Sequence, residues 1–432
     1  MNGDGVAAVP ERAIPGGKTR DYKGLIKRGS TIADTGSRRP WRAGKRLRIL
    51  RRPPLNRFPR PVPSALFTPL RLRGLELANR IVISPMCQYS ATAGSADDWH
   101  LIHLGHLALG GAALLCVEAT AVEAAGRITP GCLGLYSDAN EASLERVVRT
   151  VRARSPIKLA VQLGHAGRKA SSEVPWRGGR LIPADRGGWR PVAPSALPHL
   201  PGEAAPEALD REGIERIRAA FAASASRAAR LGFDALELHA AHGYLLHEFL
   251  SPVANRRDDA YGGALENRMR LPLEVFDAVR AAWPSDRPLG MRVSATDWVT
   301  GGWDLEQCVV FARELARRGC DWIDCSSGGV SPLQEIPLGP GYQVPFSRRI
   351  RAETGVRTIA VGLITEPQQA EAIVANGEAD MVALGRAMLY DPRWAWHAAA
   401  ALGATAHAPE QYWRCPPRAA GRVFGDTPIG MR

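Results

Sequence analysis

The chain has no CxxC pair, no apolar run approaching the roughly 18 residues of a membrane span, and no GxGxxG turn. Its seven cysteines (Cys87, Cys116, Cys132, Cys308, Cys320, Cys325 and Cys415) are an odd, widely spaced set. That pattern argues against a disulfide framework and against zinc or iron–sulfur ligation, and it fits a reducing, cytoplasmic setting. No transmembrane helix is predicted. The N-terminal region also lacks the apolar core, about 7 to 15 residues long, of a secretory signal.

The formal net charge of +13 over 432 residues first suggests an anionic partner, but the excess is local. Residues 1–60 hold 16 basic and 4 acidic residues, which leaves 40 and 39 in the remaining 372. The body is therefore electrically ordinary, and nucleic acid is not expected as a partner. Tracts such as Arg38-Arg39-Pro40 and Arg46-Leu47-Arg48 have too little apolar content to offset chain entropy, so residues 1–62 are read as a disordered basic extension. A functional basic arm, or translation begun upstream of a natural start near Val62, are the other readings. Residues 63–415 form the expected domain, and 416–432 a C-terminal tail.

From Ser64 onward, short β-branched or apolar runs alternate with stretches of helical period. Expected strands are Ile81–Ile83, Ala113–Val117, Lys158–Val161, Ala235–Leu238, Leu289–Val293, Trp322–Cys325, Thr358–Val361 and Met381–Leu384. Helices are expected over 97–109, 141–153, 211–231, 265–282, 305–318, 367–375 and 392–402. Arg230-Leu231-Gly232 and Arg317-Arg318-Gly319 each combine basic residues in a last turn with a following glycine, a helix stop that leads into a strand. The class is α/β, and eight such units predict a (β/α)8 TIM barrel. The long Pro- and Gly-rich stretch 176–206 follows the third strand and is read as an active-site roof or a surface insertion.

In such a barrel the chemistry gathers at the C-terminal strand ends. Those ends read Ser84-Pro85-Met86-Cys87-Gln88-Tyr89, Glu118-Ala119-Thr120, Gln162-Leu163-Gly164-His165, His239-Ala240-Ala241-His242-Gly243-Tyr244, Arg292-Val293-Ser294, Ser326-Ser327-Gly328-Gly329, Gly362-Leu363 and Gly385-Arg386. Two imidazoles beside a phenol can polarise a carbonyl and deliver a proton. Core packing and metal ligation are the competing readings for that cluster. Gly362 together with Gly385-Arg386, after strands seven and eight, suggests a phosphate site, with tight turns as the alternative.

Five motifs, Pro85–Tyr89, His239–Pro252, Asp259–Gly263, Arg292–Trp298 and Ala383–Arg386, together resemble the Old Yellow Enzyme family of flavin-dependent ene-reductases, over about Ser64 to Arg414. Cys87 and the His-x-x-His pair are similar to its thermophilic-like branch, which includes xenobiotic reductases and NADPH dehydrogenases. The resemblance implies noncovalent FMN, with Ser84, Pro85, Met86, Cys87 and Ala119 lining the ring and Gln162 at its pyrimidine edge. Arg292 would stand near N1 and O2, and Gly362, Gly385 and Arg386 would take the phosphate.

It further implies that His239 and His242 bind the carbonyl oxygen of an enone or enal, with Tyr89 as a second contact, and that Tyr244 protonates the α-carbon. Cys87 would tune the flavin and the substrate fit. NADPH would bind in the same pocket, so a separate dinucleotide fold is not required. A homodimer or homotetramer is implied, with Trp413 or Arg414 reaching a neighbouring site, although the Cys415-Pro416-Pro417-Arg418 ending departs from the family pattern. Two rivals are a metal-dependent hydrolase using His239, His242 and His165, and a nucleic-acid binder working through its basic arm. His100, His103 and His106 are read as a helix face without a metal, His247 as structural, and Cys116 and Cys325 as core thiols.

Overall fold

The computed structural model describes residues 63–427. The basic extension expected over 1–62, with its expected disorder, lies outside the described residues. Strands β1 (Ile81–Ile83), β2 (Leu114–Ala121), β3 (Lys158–Gly164), β4 (Ala235–Ala240), β5 (Leu289–Ser294), β6 (Trp322–Ser326), β7 (Arg357–Ala360) and β8 (Met381–Leu384) pair in that order. All pairings are parallel, and β8 closes the barrel against β1 with Ala383 opposite Val82. All eight strands lie where the sequence places them. β2 runs four residues past its expected end because a bulge between Val117 and Ala119 re-aims the chain without ending the pairing.

Helices α1 (Asp98–Ala108), α2 (Asp138–Arg152), α3 (Arg211–Arg230), α4 (Leu245–Leu250), α5 (Leu265–Ala282), α6 (Leu305–Arg317), α7 (Val344–Thr354), α8 (Pro367–Ala375), α9 (Arg386–Tyr390) and α10 (Trp394–Leu402) follow the strands. The helix stops read from sequence are present: Gly232 and Gly319 adopt φ of 79° and 82° just beyond α3 and α6. Three helices had no counterpart in the sequence reading. α4 and α9 are too short to show a period, and α7 carries proline in its first turn and no capping side chain.

Strand alternation sorts the side chains into two sets. Outward residues such as Leu236, Leu238, Met291, Val293, Ile323 and Val382 pack with Phe221, Phe276 and Phe311 of the helices in one large core. Inward residues form a column. At its base the hairpin Leu70–Leu72/Leu75–Leu77 turns four leucines onto Val82, Leu114, Ala235, Trp322, Ile359 and Met381, which plugs the N-terminal end. Above this floor the column turns polar, and at the mouth it meets the strand-end loops.

Trp322 fills the floor only because Gly290, its partner on β5, has no side chain: a Cβ there would lie 2.0 Å from the indole ring. The indole cannot swing aside, since it is buried and its Nε1 donates to Glu237 at 3.1 Å. Gly290→Ala should therefore cost about 1–3 kcal/mol by overpacking, read as a lower urea midpoint at unchanged slope. An unchanged midpoint would show that the floor is looser than this geometry requires.

Candidate active site

The loop from His239 to Tyr244 leaves β4 in a constrained path. His242 has φ 59° and Gly243 φ 71°, left-handed values that cost a non-glycine residue about 1–2 kcal/mol. Three of its backbone groups are held by side chains. The His242 N–H donates to Ser294 Oγ at 2.9 Å, and the Gly243 N–H to His247 Nδ1 at 2.9 Å. Lys169 Nζ donates to the His242 carbonyl at 2.9 Å and the Gly329 carbonyl at 3.1 Å, tying the β4 loop to the β6 loop. The two loops touch so closely that a Cβ on Gly243 would meet the Gly329 oxygen at 2.2 Å.

This anchoring brings the predicted trio together. The His239 ring packs edge-on against His242 at 5.1 Å and against Tyr244 at 4.9 Å. His239 Nδ1 accepts the Ala241 N–H at 3.3 Å, so its proton belongs on Nε2, which lies 3.3 Å from His242 Nδ1. His242 Nε2 lies 2.6 Å from Ser326 Oγ. If the serine hydroxyl donates, the His242 proton sits on Nδ1 and two N–H groups converge. That pair suits a single oxygen acceptor within reach of both rings.

The electrostatics keep these groups neutral. Burial, followed by Arg292, holds both imidazoles well below their usual range. Burial, then Cys87 and Tyr89, pushes the Tyr244 phenol well up, and burial does the same to the Cys87 thiol, aided by Cys132 and Glu118. Cys87 is therefore a thiol and not a thiolate nucleophile. Lys169, whose Nζ sits 5.1 Å from the Tyr244 ring centre, is pushed down to about 8 by burial, with Glu248 opposing.

Beside this trio, a cavity of about 300 Å³ is lined by Ser84, Pro85, Met86, Arg292, Gly362, Gly385 and Arg386, together with Ser326 and Gln343. Ser84 Oγ and Arg292 Nε are buried there without a hydrogen-bond partner. Gly362, at φ 121°, keeps clear a wall where a Cβ would meet Gln343 Nε2 at 2.9 Å, whereas a Cβ on Gly385 would make only ordinary contact, with Met86 Sδ at 3.7 Å. Unused buried donors, an arginine and side-chain-free backbone fit an acceptor-rich, phosphate-bearing ligand such as FMN. Gln162 is buried below, on β3, and Ala119 lies on β2 beyond the bulge.

Other sequence expectations are also placed. His165 pairs with Glu123 at 3.0 Å and does not join His239 and His242, and no metal-holding group of three His, Cys, Asp or Glu exists among the described residues. His100 lies 2.9 Å from Asp97 and 3.5 Å from Glu118. His247 backs the active loop, 2.9 Å from Asp297. Tyr89, at φ 55°, meets Trp176 of the 176–206 stretch edge-on at 5.6 Å, while Trp189 of that stretch donates to the Ala125 carbonyl at 2.9 Å. The stretch thus lies against the barrel mouth. Trp413 donates to the Ala408 carbonyl at 3.1 Å, and Trp396 of α10 contacts Tyr412 and Phe424. The sequence reading missed Lys169, although it lies only four residues beyond His165, at the end of a short turn Gly167–Lys169.

Comparison with known proteins matches residues 65–404 to the NADH:flavin oxidoreductase / NADH oxidase family. An NADPH dehydrogenase of Geobacillus thermodenitrificans is 44% identical over 353 residues, covering 81% of this chain and 98% of that protein. Among solved structures, morphinone reductase in complex with tetrahydroNAD superposes with a TM-score of 0.65 at 30% identity, over 82% of this chain and 93% of that one. An Old Yellow Enzyme homologue from Zymomonas mobilis gives 0.65 at 25% identity, over 82% and 98%. No helix among the described residues is long and apolar enough to cross a membrane. The chain belongs to the NADH:flavin oxidoreductase / NADH oxidase family and is an FMN- and nicotinamide-dependent oxidoreductase of the Old Yellow Enzyme type.

Proposed function

We propose that the protein is an ene-reductase that reduces the C=C bond of α,β-unsaturated carbonyl compounds, with NADPH as reductant. The observation that carries this reading is the convergence of His239 Nε2 and His242 Nδ1, 3.3 Å apart, beside the half-buried Tyr244 phenol and the cavity lined by Arg292 and Arg386. FMN held in that cavity would supply the hydride chemistry that links NADPH oxidation to reduction of the substrate C=C bond. Ser84, Pro85, Met86, Cys87 and Ala119 would line its ring, Gln162 and Arg292 would face its pyrimidine edge, and Gly362, Gly385 and Arg386 would hold its phosphate.

His239 and His242 donate to the carbonyl oxygen and withdraw electron density from the β-carbon. Their neutrality matters, because a neutral imidazole donates a hydrogen bond without surrendering a proton to that oxygen. Tyr89 adds a contact at the same oxygen. Tyr244 Oη gives its proton to the α-carbon, and its raised pKa keeps the proton in place until carbanion character develops. Lys169 holds the loop that aims these groups. The likeness to the family also supports a homodimer or homotetramer, with Trp413 or Arg414 directed to a neighbouring site.

Anaerobic half-reactions test the assignment. The purified protein should be yellow, bleach with NADPH and recover its colour with cyclohexenone. Tyr244→Phe should slow the enone step by about 10²- to 10⁴-fold while NADPH bleaching stays within about threefold of wild type. Equal slowing of both steps would remove Tyr244 as proton donor. A colourless protein that cannot be reconstituted with FMN would sink the whole reading.

The depressed histidines also predict acid sensitivity. In the unfolded chain each titrates near 6.5, so the unfolded state binds more protons as pH falls through that value. The stability contributed by the neutral pair is full above pH 6.5 and is lost on acidification. Between pH 7 and pH 5, Tm should fall less in the double variant His239→Asn/His242→Asn than in wild type. Parallel losses in the two proteins would contradict the buried neutral assignment.

A further inference from the structure

The middle of the barrel column is ionic, where such barrels are normally filled by bulky branched residues. Gln162 on β3, Glu237 on β4, Arg292 on β5 and Asp324 on β6 all point inward, and each is buried. Glu237 Oε1 accepts from Gln162 Nε2 at 2.8 Å, and its Oε2 from Trp322 Nε1 at 3.1 Å. Asp324 Oδ2 lies 3.2 Å from Arg292 Nε, too poorly aligned for a hydrogen bond, while Asp324 Oδ1 has no partner. Two carboxylates thus sit beneath one guanidinium that lines the cavity. Charges taken out of water at this depth are costly unless they are paired and hydrogen-bonded.

We propose that Glu237 and Asp324 are positioning residues for the cofactor: Asp324 sets the charge that Arg292 presents to the cavity, and Glu237 fixes the direction of the Gln162 amide. The inference rests on the reading that FMN lies against Arg292 and Gln162. An indole N–H can only donate, so Glu237 Oε2 must accept from Trp322. A carboxylate also accepts at Oε1, which turns the Gln162 NH2 group towards it and leaves the Gln162 Oε1 and one N–H for the ligand side. A proton on Glu237 would have to sit on Oε1 and would reverse the amide. Burial and the Asp324 charge raise Glu237, while Arg292, Trp322 and Gln162 oppose that rise; Cys116 faces the same layer from β2.

The test uses the holoenzyme and reads the two-electron midpoint potential of bound FMN by anaerobic dye equilibration, and FMN affinity by fluorescence. Asp324→Asn removes a negative charge near Arg292, so reduced FMN should gain affinity over oxidised FMN by about tenfold, a rise of about 30 mV for a two-electron couple. Asp324→Glu keeps the charge and should stay within about twofold of wild type. Glu237→Gln must donate to Gln162 and so turn its amide, weakening oxidised FMN binding by about tenfold. If Asp324→Asn is not recovered folded, Glu237→Gln carries the test.

Potential and affinity within twofold of wild type in the recovered variants would overturn the proposal. So would a shift in Asp324→Glu equal to that in Asp324→Asn, which would assign the effect to packing. A wild-type protein that takes up no FMN would instead overturn the parent reading.

Discussion

A parallel barrel strand sends only every second side chain to the axis, and the chemistry of this protein is built on that single narrow column. Three levels share it. Leucines and Trp322 seal the base, Gln162, Glu237, Arg292 and Asp324 occupy the middle, and His239, Ser294 and Ser326 reach the mouth. The order follows from solvation. An ionic layer open to water at both ends would be screened and mobile, whereas above an apolar floor its charges must find partners within the barrel or in what binds at the mouth.

The mouth is rigid for a related reason. His242 and Gly243 hold left-handed backbone angles that the local sequence does not favour, at least for the histidine. That conformation persists because contacts from four other segments hold it: Lys169 after β3, Ser294 on β5, Gly329 after β6 and His247 within α4. None of these contacts involves a residue proposed to touch the substrate except through its backbone. They place the imidazoles and the phenol so that little reorganisation is left for the moment of reaction.

The sequence made the barrel legible because its signals are local: β-branched runs such as Ile81-Val82-Ile83, and the Arg-Arg-Gly helix stop before β6. The His239–Tyr244 cluster was legible for the same reason, since its members are neighbours in the chain. What escaped depends on contacts between distant residues. Lys169 and Gly329 are 160 positions apart, and Gln162 and Glu237 are 75 apart. Helix α4, six residues long and buried on every side, is too short and has no exposed face to reveal a period, and its polar residues His247 and Glu248 are buried with the rest. Glu237 and Asp324, set within apolar strands, carry no sign in sequence of which face they occupy until the register is known.

Ser326 joins the two halves of this arrangement. It stands two residues beyond Asp324 on the same inward face of β6, lines the cavity beside Arg292, and lies 2.6 Å from His242. A serine hydroxyl can donate or accept, so the imidazole's tautomer depends on which way that hydroxyl turns. With an acceptor facing the histidines, donation by Ser326 to Nε2 is the arrangement that leaves every group satisfied: His239 Nε2–H and His242 Nδ1–H both point at the oxygen. With no acceptor, His239 can donate to His242 Nδ1, and His242 to Ser326, with no N–H left over. The same three side chains therefore have one satisfied arrangement with an oxygen acceptor and another without it, and the two differ in which His242 nitrogen holds the proton and in the direction of the Ser326 hydroxyl.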